Sequence, residues 1–244
     1  MFPHLTQEEF ADCLDAVVGE FLAAADWEAP PVDALELARR AGIALAIDSR
    51  LAGRARTVRL RSGTAGGQAS ILLRPEPRSE RRQWAVAHEI GEQLARHVFA
   101  AGDVTPAETS EAAREQVANL LAARLLLPTA WYERDARGCG WDLFELKRSY
   151  STASHELLAR RMLDCAPLVI ISLFDQGQLA WRKSNAGGRT PSLTAAERSA
   201  RDEAHGTLTT ATRESPWGGV VAWPIHEPEW KREILRAELP EFQT

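Results

Sequence analysis

The stretch Gln83-Trp-Ala-Val-Ala-His-Glu-Ile-Gly-Glu92 decides how this chain reads. From Ser79 to about Val98 the apolar residues recur at helical spacing. On a helix, residues four apart sit one turn along the axis and about 40° apart in azimuth. His88 and Glu92 therefore project from one face and can share an ion. Glu89 lies about 100° round from His88 and can reach a water beside that ion. Glycine inside a helix costs about 1 kcal/mol relative to alanine, so another demand must favour Gly91. Close approach of a second backbone is one such demand.

The short pattern His-Glu-x-x-His on a helix brings two imidazoles to a metal, with the glutamate as base. In this chain Glu92 stands where the second imidazole would be. Taken alone, an acidic pair beside a histidine is most simply a solvated helix face. Here the helix is apolar-patterned, and so is the next, Glu115-Gln-Val-Ala-Asn-Leu-Leu-Ala-Ala-Arg-Leu-Leu-Leu-Pro128. A glutamate and an asparagine inside such a helix need partners if they are buried. If the two helices pack antiparallel, Glu115 can face His88 and Glu92 as a third ligand, leaving a fourth position open, as catalytic zinc sites do.

Working outward, Thr6-Gln-Glu-Glu9 has the pattern of a capping box opening a helix to about Ala25. Pro30-Pro31 interrupts the chain, and a second helix is expected from Val32 to Ala41, ending at Gly42. Ile43–Ile47 reads as a strand, and Thr57–Arg61 with Ala69–Leu73 as a strand pair turning at Gly63–Gly67. Ser110 can cap the helix that stops at Pro128, and short helices are expected around Thr129–Arg134, Trp141–Arg148 and Ser154–Leu163. After Cys165 the texture changes. Leu168–Phe174 and Gln178–Arg182 read as strands, Thr194-Ala-Ala-Glu197 as another capping box, and Gly218–Trp223 as a further strand.

With 244 residues, 45% of them hydrophobic, the chain is long enough for one large domain or two modest ones. The fold class expected is α+β: a mainly helical metallopeptidase-like domain with a small antiparallel sheet over residues 1–165, then a smaller mixed α/β region over residues 166–244. A net charge of −5 argues against a broad nucleic-acid-binding surface. Three scattered cysteines, Cys13, Cys139 and Cys165, suit a reducing cytoplasm better than a disulfide framework. The N-terminal MFPHLTQEEF lacks a signal pattern, and no apolar run nears the roughly 20 residues that span a bilayer.

Several segments, in order, resemble the ImmA/IrrE family of bacterial metallopeptidases. Pro31-Val-Asp-Ala-Leu-Glu-Leu-Ala-Arg-Arg-Ala-Gly-Ile43 looks like the family's helix into Gly-Ile. Gln83–Gly91 is similar to its Ala-His-Glu-Leu-Gly-His helix. Glu115-x-x-Ala-Asn-x-x-Ala-Ala-x-Leu-Leu-x-Pro128 is similar to its Glu-x-x-Ala-Asn helix, and Ser151–Asp164 to the segment that follows. The resemblance covers residues 30–165. It implies a cytoplasmic zinc-dependent endopeptidase that cuts a helix-turn-helix transcriptional repressor and so derepresses stress or mobile-element genes. Carried over, His88 is the first metal ligand, Glu89 the catalytic general base and Glu115 the third ligand, with Glu92 in the place of the second histidine.

With Glu92 as ligand, the charges of Zn²⁺ and its three protein ligands sum to zero rather than +1. This lowers Lewis acidity and admits the harder Mn²⁺ or Fe²⁺. Three readings follow: an active endopeptidase on a protein substrate; a weakened or inactive relative that binds a regulatory protein; a hydrolase using another metal on a small substrate. The other residues have plainer readings. His97 falls on the far side of its helix from His88. His155, His205 and His226 could steady an oxyanion but read as surface or helix-end residues. Arg50, Arg54, Arg56, Arg59 and Arg61 read as charge protecting a strand edge. Trp217, Trp223 and Trp230 read as completing a small core, and Glu233, Glu238 and Glu241 as a solvated tail.

Overall fold

The computed structural model describes residues 4–60, 68–105, 109–165 and 167–240. They fall into two compact units whose chain segments interleave. The first holds residues up to Asp135 with Arg148–Ser154, and the second holds Ala136–Lys147 with everything from His155 on. The sequence division at residue 165 places helix 155–165 with the first domain, whereas its contacts group it with the second unit.

In the first unit, α1 (Gln7–Ala24) begins with the two-way cap expected of Thr6 and Glu9. Its buried stripe is Leu14, Val18 and Leu22, at the helical period. Helix α2 (Ala34–Arg40) starts later than expected, because the Asp33 carboxylate accepts from the Leu35 and Glu36 amides and so fixes the first turn. A three-stranded sheet follows in the order β1 (Ala44–Ile47), β3 (Gln68–Leu73), β2 (Ala55–Leu60). The expected β2–β3 antiparallel pair forms, and β1 adds to β3 in parallel. The turn expected at Gly63–Gly67 lies outside the described residues.

Helix α3 (Ser79–Ala101) and helix α4 (Glu111–Leu126), which Ser110 caps as expected, pack together against α1. Val86, Ile90, Val98, Leu121 and Leu125 are fully or almost fully enclosed. Each large apolar side chain so buried contributes roughly 1.5–3 kcal/mol. Gln83 on α3 accepts from the Ala34 amide at 2.6 Å, tying α2 to the same core. Helix α5 (Thr129–Gly138) begins in this unit and ends in the other.

The second unit contains α6 (Leu143–Ser149) in the main, then α7 (His155–Cys165), β4 (Val169–Asp175), β5 (Gln178–Ser184), α8 (Ala195–Thr207), β6 (Ala211–Ser215), β7 (Gly218–Pro224) and β8 (Arg232–Glu238). The strands form one antiparallel sheet in the order β5-β4-β8-β7-β6. Helix α8 lies on it over Ile170, Phe174, Val220, Ala222, Leu235 and Ala237. Its capping glutamate, Glu197, is buried and also takes two hydrogen bonds from Arg182 of β5, at 2.7 and 3.1 Å.

Strands β6 and β8 were not expected from the sequence. Glu233 is not part of a solvated tail, because β8 carries it into the interior beneath α8. Of the three tryptophans nearest the C-terminus, Trp223 is buried and donates to Asp142, whereas Trp217 and Trp230 are exposed. The three cysteines are free thiols. Among the described residues no helix is long and apolar enough to cross a membrane.

Candidate metal centre

The site lies within the first unit, where α3 and α4 come close enough for backbone contact. A Cβ built on Gly91 would stand 2.6 Å from the Ala118 carbonyl oxygen and 3.3 Å from the Ala122 nitrogen. Only glycine fits, which is the demand its place in a helix implied. One turn away on the same stretch of α3, His88 faces α4 directly.

The His88 Nε2 atom lies 3.7 Å from a Glu92 carboxylate oxygen and 3.5 Å from one of Glu115. The three ligand atoms lie close enough together to hold one metal ion. On the other side of the ring, Nδ1 lies 3.2 Å from the amide oxygen of Asn119. An amide oxygen only accepts, so Nδ1 donates in this contact, and Nε2 is the ring atom turned toward the two carboxylates. The Asn119 amide nitrogen donates to Glu115 at 3.2 Å, so one side chain orients two members of the cluster. The sequence flagged Asn119 as a residue needing partners but not this double role.

Glu89 is buried on the sheet side of α3, where its carboxylate accepts from the Thr57 hydroxyl of β2 at 2.8 Å. Gln93 donates to the same hydroxyl at 3.4 Å. Thr57 was not singled out from the sequence, and the only available signal was its place in the strand paired before α3.

The carboxylates of Glu92 and Glu115 thus flank one imidazole, and the charge of a third, Glu89, acts on Glu92. Among the described residues none of them pairs with a lysine or arginine. Burial pushes the Glu92 carboxyl above the usual carboxylate range; the charges of Glu89 and Glu115 add to this, and His88 opposes it. A bound divalent cation would relieve that repulsion, and the donor set of one imidazole and two carboxylates suits zinc or a harder ion.

None of the other candidate residues is among the three that converge here. His97 contacts the neighbouring Arg96. His155 packs edge-on against Phe144 in the second unit. Arg50, Arg54 and Arg56 are exposed, Arg56 being on β2 at the edge of its sheet. Arg61 and the Arg59 side chain lie outside the described residues. His205 is a partly exposed helix-end histidine, in the last turn of α8, as one reading had it, but both it and His226 also contact the buried Glu233.

A helix-borne His-Glu pair, completed by a glutamate from a second helix, has the makings of a metallohydrolase centre. Residues 44–162 match the IrrE N-terminal-like domain of the peptidase M78 family, and that span includes His88, Glu89, Glu92 and Glu115. This domain belongs to the ImmA/IrrE family, as the motifs led one to expect. Among solved structures, a Mycobacterium tuberculosis transcriptional regulator shares the fold. The TM-score is 0.65 at 16% identity, covering 95% of this chain and 80% of that one. No curated protein sequence matches the chain.

Proposed function

We propose that the protein is a metal-dependent endopeptidase that cleaves a helix-turn-helix transcriptional repressor in the cytoplasm. The observation that carries this reading is the convergence of His88, Glu92 and Glu115, with the imidazole held in place by Asn119. Membership of a peptidase family supports the reaction class. Likeness to a solved transcriptional regulator is consistent with a role in gene control.

In this reading His88, Glu92 and Glu115 hold zinc, with manganese or iron as alternatives. Such an ion, when bound, would supply Lewis acidity toward a peptide carbonyl and water. Glu89 takes the proton of that water and passes it to the departing amine. Its hydrogen bond from Thr57 fixes the carboxylate so that one oxygen stays directed by β2 while the other is free for the proton. Strand β2 is an edge strand, and its outer backbone groups offer an extended substrate a place to pair.

The test is incubation of the zinc-loaded protein with repressors encoded near its gene. Cleavage should fall on the order of 10²–10⁴-fold in Glu89→Gln, with zinc content unchanged. Equal cleavage by Glu89→Gln would remove Glu89 as the base.

A second reading rests on Glu92 itself. A carboxylate in place of an imidazole neutralises the ion, which favours a weakened relative that binds a regulator without cutting it. Stable repressor binding with no cleavage in either protein would support that reading.

A further inference from the structure

The second unit holds another His/Glu cluster, separate from the family's site. His205 lies in the last turn of α8, His226 follows β7, and Glu233 is the second residue of β8. His205 Nδ1 and His226 Nε2 approach a single oxygen, Glu233 Oε1, at 2.8 and 2.6 Å. The two rings stand 5.4 Å apart, near edge-on.

The Glu233 side chain is only 1% exposed, and among the described residues no arginine or lysine pairs with it. Its other oxygen, Oε2, is buried with no hydrogen-bond partner among the described residues. Buried polar atoms are almost always satisfied, and a carboxylate oxygen left bare in the interior is costly. The cluster is therefore built, enclosed and incomplete. The His205 side chain is 40% exposed, which gives a path from solvent.

We propose that His205, His226 and Glu233 form a second metal site, which takes a divalent transition-metal ion of zinc type. Two imidazole nitrogens and one carboxylate are the donor set that zinc shares among nitrogen and oxygen ligands. Donor atoms on one tetrahedral zinc stand about 3.3 Å apart, given bonds of about 2.0–2.1 Å. Side-chain movements of about half an ångström convert the two contacts on Oε1 into a chelate, and Oε2 becomes available as a second ligand atom. The imidazole donors lie on a helix end and a strand connection, and the carboxylate on the central part of the sheet. An ion at this point joins α8 to β7 and β8, so its effect is on the stability of the second unit.

This site does not depend on the peptidase reading, and the experiment keeps the two apart. In the full chain, His88→Ala removes the imidazole of the first cluster. That protein, loaded with zinc and gel-filtered, should retain one zinc per chain by elemental analysis, and added zinc should raise its thermal midpoint. Both effects should vanish when His205→Ala is added, a change at a partly exposed side chain. Glu233→Gln, near in shape, should abolish retention with an unchanged far-ultraviolet circular dichroism spectrum, and cobalt should give visible absorption only where zinc is retained. Absence of zinc from the His88→Ala protein would overturn the proposal. So would zinc that persists after His205→Ala and Glu233→Gln; the cluster would then be a carboxylate neutralised by imidazolium alone. Loss of the first ion alone from the wild type bears on the peptidase reading and leaves this one standing.

Discussion

The two His/Glu clusters differ in which member is shielded. In the first unit the imidazole is sheltered, His88 being 16% exposed, while Glu92 and Glu115 are half exposed. In the second unit the carboxylate is sheltered, and an imidazole faces solvent. Glu92 and Glu115 are hydrated on their open sides, so two carboxylates can flank one imidazole without a lysine or arginine, although burial and the neighbouring charges still raise the Glu92 carboxyl. A buried carboxylate must be matched by donors or a cation, which draws its partners in and closes the cluster. The first arrangement suits turnover and the second suits retention.

The contrast can be broken most forcefully at Gly91. In Gly91→Ala the new methyl meets backbone, which cannot swing aside, so stability should fall by about 1–3 kcal/mol. The first cluster should lose zinc affinity as α3 and α4 part, while the second unit's cluster is unaffected. Chemical denaturation and zinc titration read both, and an unchanged denaturation midpoint would show that the helices do not meet there. Asn119→Ala should weaken zinc binding at the first cluster by about 10–100-fold, the usual cost of losing a side chain that orients a ligand. Competition with a chelator measures it, and unaltered affinity would mean that the His88 ring is held by something else. Glu92→His should tighten zinc at the first cluster on the order of tenfold and shift its preference away from manganese, since it replaces an anion with a borderline-soft donor. Parallel titrations with the two metals would reveal an unmoved preference, and with it an error in the charge argument.

Elements that announce themselves within a few residues were legible. Thr6 with Glu9 and Thr194 with Glu197 close their caps as the spacing implied, and four residues of one helix turn suffice to place His88 beside Glu92. Strand β8 gave no such signal. It is buried at five consecutive positions, so its faces do not alternate, and its charges are answered from elsewhere: Arg232 by Asp175 and Glu156, Arg236 by Glu238, Glu233 by two histidines. A reading based on alternation treats such a segment as surface. The second cluster was hidden for a related reason. His205, His226 and Glu233 belong to three elements with no shared motif. They meet only because the β7–β8 register sets Pro224 against Glu233 and α8 ends above that point.

The interleaving of the units has a practical consequence. The chain passes from one to the other after Asp135, returns after Lys147, and leaves again after Ser154. A protein truncated at residue 165 would keep Ala136–Lys147 and α7 without the sheet they belong with. One truncated at residue 135 would lack the Thr152 hydroxyl that donates to the Val32 carbonyl, and Tyr150, which donates to Asp135. A protease nick within residues 136–154 should therefore yield two fragments that travel together until a denaturant is added. The halves are threaded rather than strung in series, and neither can be lost or exchanged as a cassette.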